Sequence, residues 1–132
     1  MTDITLLVTA LLFGGMVLYA FGFAAFLFAS LPAETASPLL RKAFPHFYLF
    51  VLGCSLVASG LAFGIDTTSA TVLGVIFLST VYARQILMPA INAATDAGEK
   101  SRFKKLHWFS VLITLAHICA TAWIILRLAA LG

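Results

Sequence analysis

The stretch Leu106 to Leu126 limits the possible folds more than any other. It is apolar along its length, yet it carries His107, Ser110, Thr114, His117 and Thr121 at steps of three, four, three and four residues. On a helix that spacing aligns all five side chains along one seam. The other faces are Trp, Phe, Val, Leu, Ile and Ala. Such a helix is amphipathic in reverse: its outside suits lipid and its seam needs a polar partner.

Three further apolar runs accompany it, each near the ~20 residues that cross a hydrocarbon core. The expected spans cover residues 4–31, 44–63, 71–91 and 106–126, in one domain of 132 residues. Composition agrees. Hydrophobic residues make up 62% and charged residues 10%, too little charge to coat a surface facing water. The net charge of +3 is small and seven of the eight basic residues lie outside the runs, which gives no support to a nucleic-acid partner and leaves the lipid bilayer. The start of the chain lacks the basic region and cleavage site of a secretory signal, so the first run is expected to be a retained span. Short connections predict an all-α, antiparallel up-down four-helix transmembrane bundle.

Loop charges predict the orientation. Arg41, Lys42, Lys100, Arg102, Lys104 and Lys105 belong to one side and Arg127 to the other. Basic loops stay inside. The expectation is therefore a bacterial inner-membrane protein with both termini outside and the charged loops 32–43 and 93–105 in the cytoplasm. Within the loop after run one, Ser37-Pro38 has the form of an N-cap and first helical residue. Pro45 is expected to kink or restart the helix.

Packing faces can be read from small residues. Gly15, Tyr19, Gly22, Phe26 and Ala29 form one seam of run one, and His46, Gly53 and Gly60 one face of run two. Glycine at such spacing allows close helix approach, so both faces are expected to meet other helices.

The expected topology brings polar groups together on the cytoplasmic half. His46 and His107 each lie in the first turn of a span that starts there. Asn92 is at the mouth of run three and Arg84 lies deeper, with Met88 between them on one ridge. Arg84 keeps its proton and is costly in hydrocarbon, by at least ~2.5–3.5 kcal/mol. Its candidate partners are backbone carbonyls, hydroxyls, water or a bound anion; the bland alternative is snorkelling to the headgroups. His46 and His107 admit three readings: hydrogen bonding between helices, axial ligation of haem b, or a metal or proton site. His117, about 15 Å further along the helix, reads as an interhelical hydrogen-bonding residue. Cys54 and Cys119 lie within apolar runs and read as free thiols. No phosphate loop, nucleophile elbow, paired carboxylate or CxxC is present.

Several of these residues carry a family resemblance. Phe26-x-x-x-Ser30-Leu31-Pro32 precedes Ala43-Phe44-Pro45-His46-Phe47-Tyr48 and Gly53. Ala83-Arg84, Pro89 and Asn92 follow, then Phe103-x-x-x-His107-x-x-Ser110. Their order resembles the transmembrane-protein-205-like family, an integral membrane domain of unknown function. The resemblance implies four spans and carries over Pro32, Phe44, Pro45, Arg84, Pro89, His107 and Ser110. It implies an aromatic where this chain has His46, and it does not include His117, so a bis-histidine haem site would be particular to this protein.

Three functional expectations follow. The first is a membrane protein binding a small ligand or cofactor in a cytoplasmic-side polar pocket, with cofactor-binding residues His107, His46 and Arg84 and the polar seam Ser110, Thr114, His117, Thr121 and Asn92. Haem b is its most concrete candidate. The second is a transporter or accessory factor for a proton, metal ion or small solute, which needs a homo-oligomer or a membrane-complex partner. The third is a haem-dependent oxidoreductase, disfavoured because no acid–base pair beyond histidine is visible. No catalytic residue is assigned, and the identity of any metal is left open.

Overall fold

The computed structural model describes residues 1–131. Four helices account for nearly all of it: α1 (Thr2–Ser30), α2 (Ala33–Ala62), α3 (Thr67–Asp96) and α4 (Lys100–Leu131). Each is long and apolar enough to cross a membrane, and the protein is an integral membrane protein. No strand occurs among the described residues. Successive helices pack together and α4 also packs on α1, mainly through Thr2–Val17. Those contacts fit the expected up-down bundle.

α1 and α2 begin before the expected spans and α3 and α4 outrun theirs at both ends, and local chemistry sets the helix ends. Leu31 is extended, with φ −130° and ψ 151°, because the residue before a proline is disfavoured in the α region. Pro32 then caps α2. The helix is continuous from Ala33, so Ser37-Pro38 does not start it and residues 33–43 are not a loop. The apparent start signal is overridden because Pro38 and Pro45 each remove one backbone donor without ending the helix. At α3 the Asp66 carboxylate accepts from the Ser69 backbone N–H at 3.2 Å and the Ser69 hydroxyl at 2.5 Å. At its other end Gly98 has φ 71°, and Glu99 N–H donates to Ala94 O at 3.0 Å. A glycine in the left-handed region is the usual way to end a helix here.

Two ion pairs bridge neighbouring helices at opposite ends. Arg41 of α2 donates through Nη1 and Nη2 to the Asp96 carboxylate of α3, at 2.8 and 2.9 Å. Arg127 of α4 donates to Asp66 through Nε at 2.6 Å and Nη2 at 3.1 Å, with its guanidinium carbon 5.4 Å from the Trp123 ring centre. Both are two-pronged, the geometry that makes arginine–carboxylate pairs strong.

The core contains Leu12 and Met16 of α1, Phe47, Val51 and Ala58 of α2, Leu73 and Ile76 of α3, and Ile124 and Leu128 of α4. Large apolar side chains also cover the outside: Leu7, Phe63 and Leu126 are each at least 70% exposed. In water that surface would drive association; in a bilayer it is solvated by acyl chains.

Two expected packing faces are corrected. His46, Gly53 and Gly60 are all exposed, and α2 instead buries Phe47, Val51, Ser55, Ala58 and Ala62. In α1 the buried stripe is Thr5, Thr9, Leu12 and Met16; Gly22, Phe26 and Ala29 are exposed. Only Gly15 makes the expected close approach, since an added Cβ would overlap the Phe50 ring. The physical reason is that lipid and core are equally apolar, so small residues do not by themselves identify the inner face.

The Arg127 guanidinium and Ser69 hold the Asp66 carboxyl well below the usual carboxylate range. A depressed folded-state pKa adds stability that is complete above the unfolded value, about 3.9, and is lost as pH falls toward the folded value. Thermal unfolding in detergent is therefore expected to be flat near neutrality on this account and to decline in strong acid. Asp66→Asn should lower the midpoint at pH 7 and weaken the acid decline.

Candidate functional site

Three backbone irregularities occur at one level of the bundle, nearer the Arg41–Asp96 end. The helical turns widen to π geometry at Leu18–Phe23 of α1 and Ala83–Leu87 of α3. Pro45 interrupts the α2 hydrogen-bond ladder. Side chains show that these features are level. Tyr19 stacks on Phe47 with ring centres 4.6 Å apart, and Arg84 Nε donates to Pro45 O over a long 3.4 Å. Widened turns of this kind often mark functional sites.

Arg84 is half-buried and its second contact is Nη1 to Gln85 Oε1 at 2.9 Å. Its partners are thus a backbone carbonyl and a neighbouring amide. Asn92 and Met88, on the same ridge, are also half-buried.

The α4 seam divides in two. Ser110, Thr114 and Thr121 hydroxyls donate to carbonyls of their own helix: His107 O at 2.6 Å, Ser110 O at 3.1 Å and His117 O at 2.9 Å. Thr121 is fully buried. His117 Nε2 lies 2.7 Å from the Ser79 hydroxyl of α3, the interhelical bond expected for it. That hydroxyl also lies 2.8 Å from Val75 O. If it donates to the carbonyl, His117 must donate from Nε2 and leave Nδ1 as acceptor. Thr114 and His117, with Tyr48 and Thr80, line a central cavity of about 10 Å³, about enough for one water. His107, by contrast, is exposed and stacks on Phe103 at 5.6 Å.

His46 lies in a different place. It lines an open cleft of about 790 Å³ between α1 and α2, with Gly15, Leu18, Tyr19, Gly22, Phe23, Phe26, Ala43, Phe47 and Phe50. His46 and His107 are at similar depth, since Arg84 meets Pro45 and Tyr82 meets Phe109. His46 lines the α1–α2 cleft, whereas His107 is exposed beside Phe103. Of His46, Arg84 and His107, the cleft contains His46 alone. The Tyr19 hydroxyl is buried with no hydrogen-bond partner, which ordinarily costs about 1–3 kcal/mol. Cys54 is half-buried and Cys119 exposed, both as free thiols. Among the described residues no three His, Cys, Asp or Glu side chains are grouped to hold a metal ion.

Sequence reasoning missed the cleft and Ser79. The aromatic residues at 23, 26, 47 and 50 were visible, but nothing in their spacing separates a cleft wall from a packed core. Ser79 sits among apolar residues and only its pairing with His117 gives it a role.

The Ser79–His117 bond predicts a modest coupling. A double-mutant cycle with Ser79→Ala and His117→Ala, read by unfolding in detergent, should give about 0.6 kcal/mol, the average for such pairs in membranes. Zero coupling would show that the pair contributes nothing to helix association.

No curated protein and no solved structure matches the chain. The family described as "Domain of unknown function (DUF4149)" matches residues 7–100, which include most of α1, all of α2 and α3, both widened turns and the whole cleft. The chain belongs to the DUF4149 family.

Proposed function

We propose that this protein is a non-enzymatic membrane protein that binds a small amphiphilic ligand in the cleft between α1 and α2. The cleft carries the reading. Its volume of about 790 Å³ falls in the range of small-molecule sites, about 300–1,000 Å³. Its walls are apolar and aromatic, with His46 as the exposed polar side chain among them. A few polar groups in an apolar cavity are what orient a bound molecule. The cleft replaces the shared polar pocket as the candidate site.

Several finer features belong to the same proposal. The quoted motifs support placing the chain near the transmembrane-protein-205-like family. Six basic residues at one end against Arg127 at the other support cytoplasmic placement of the segments around 32–43 and 93–105 in a bacterial inner membrane.

Haem b is a second reading, favoured by the exposed His46 imidazole beside Phe47 and Phe50. His46 would supply one axial ligand; His107 would not face the same group.

An alkyl photoprobe tests the cleft reading. Adducts should concentrate on peptides containing Phe23, Phe26 and His46, and Ala43→Phe should suppress them. Even labelling around the bundle would contradict it. Haem binding should give a Soret band abolished by His46→Ala and kept in His107→Ala; a colourless folded protein from haem-replete cells would remove that reading.

A further inference from the structure

The cleft has a direction. Its α1 wall extends from Gly15 to Phe26, eleven residue steps or roughly 16 Å at 1.5 Å per residue. Its long axis therefore follows the helices, as acyl chains do in a bilayer. The lining at the other wall begins with Ala43 and His46, at the end of the bundle that bears the basic residues. Lys42 is exposed, precedes Ala43 and lies one turn from His46 on the same face of α2. Its neighbour Arg41 is committed to Asp96, whereas Lys42 makes no ion pair among the described residues. Glu34, the acidic group nearest the start of α2, lies two turns further out.

Resting on the cleft reading above, we infer that the ligand is one long-chain membrane lipid with a phosphate headgroup. The chain occupies the groove from Gly15 to Phe26, the phosphate is held by Lys42 at the rim, and His46 supplies a hydrogen bond one turn deeper. A free phosphate would leave the apolar walls uncovered, and a neutral lipid would leave Lys42 without a counter-charge. A basic residue near the membrane surface contributes about 1 kcal/mol toward an anionic headgroup, or about fivefold in affinity.

Native mass spectrometry of the full chain, stripped of annular lipid, tests this with phosphatidic acid and diacylglycerol of matched chains. One phosphatidic acid should be retained per chain, about fivefold more tightly than diacylglycerol. Lys42→Gln should bring phosphatidic acid down to the diacylglycerol level and leave diacylglycerol unchanged. Ala43→Phe should weaken both, with helix content checked by circular dichroism, and Gly22→Phe serves as an independent filler from the opposite wall. Equal retention of the two lipids, or phosphatidic acid binding undiminished in Lys42→Gln, would overturn the headgroup inference while the cleft reading stands. Retention of neither, or binding unaffected by both fillers, would overturn the cleft reading itself.

Discussion

Polar bonds between helices are few here, and their distribution shapes the bundle. α2 and α3 are joined by Arg41–Asp96, by the Ser59 hydroxyl on Ala70 O and by Arg84 on Pro45 O. α3 and α4 are joined by Ser79–His117 and Asp66–Arg127. Among the described residues α1 has no such bond; its Thr5 and Thr9 hydroxyls donate to Met1 O and Thr5 O within the same helix. Dispersion and side-chain fit alone hold α1 in place. Three helices are thus tied by polar contacts and the fourth rests against them.

The cleft lies where the burial of α1 lapses. Through Met16, α1 buries a residue every three or four positions. Beyond the widened turn at Leu18–Phe23 the next buried residue is Leu27. Along this half a groove opens beside α2, while Tyr19 still stacks on Phe47. Glycine at 22 adds no side chain to fill that space. A ligand in the cleft would restore the apolar contacts α1 lacks there.

The sequence disclosed what depends on hydropathy and on isolated polar residues. Four runs of sufficient length made four helices, and the position of His117 deep in its run pointed to an interhelical bond. The inward faces were less legible. The reading of His46, Gly53 and Gly60 as a contact face failed because hydropathy cannot separate a core from lipid, both being apolar. The start of α2 was hidden because Pro38 imitates a first-turn proline. His46 lines a cleft and His107 lies exposed beside Phe103, a difference that depth along a span does not encode. The widened turns have no signature in residue type, so the cleft lined by the α1 turn could emerge only with the backbone.

A cryo-electron-microscopy structure in a lipid nanodisc would show whether the α1–α2 cleft exists and is filled. The expected result is an open groove between α1 and α2 from Gly15 to Phe26, with continuous non-protein density in it beside His46. A structure with α1 closed on α2 over that length, and Phe26 packed where the gap should be, would contradict it.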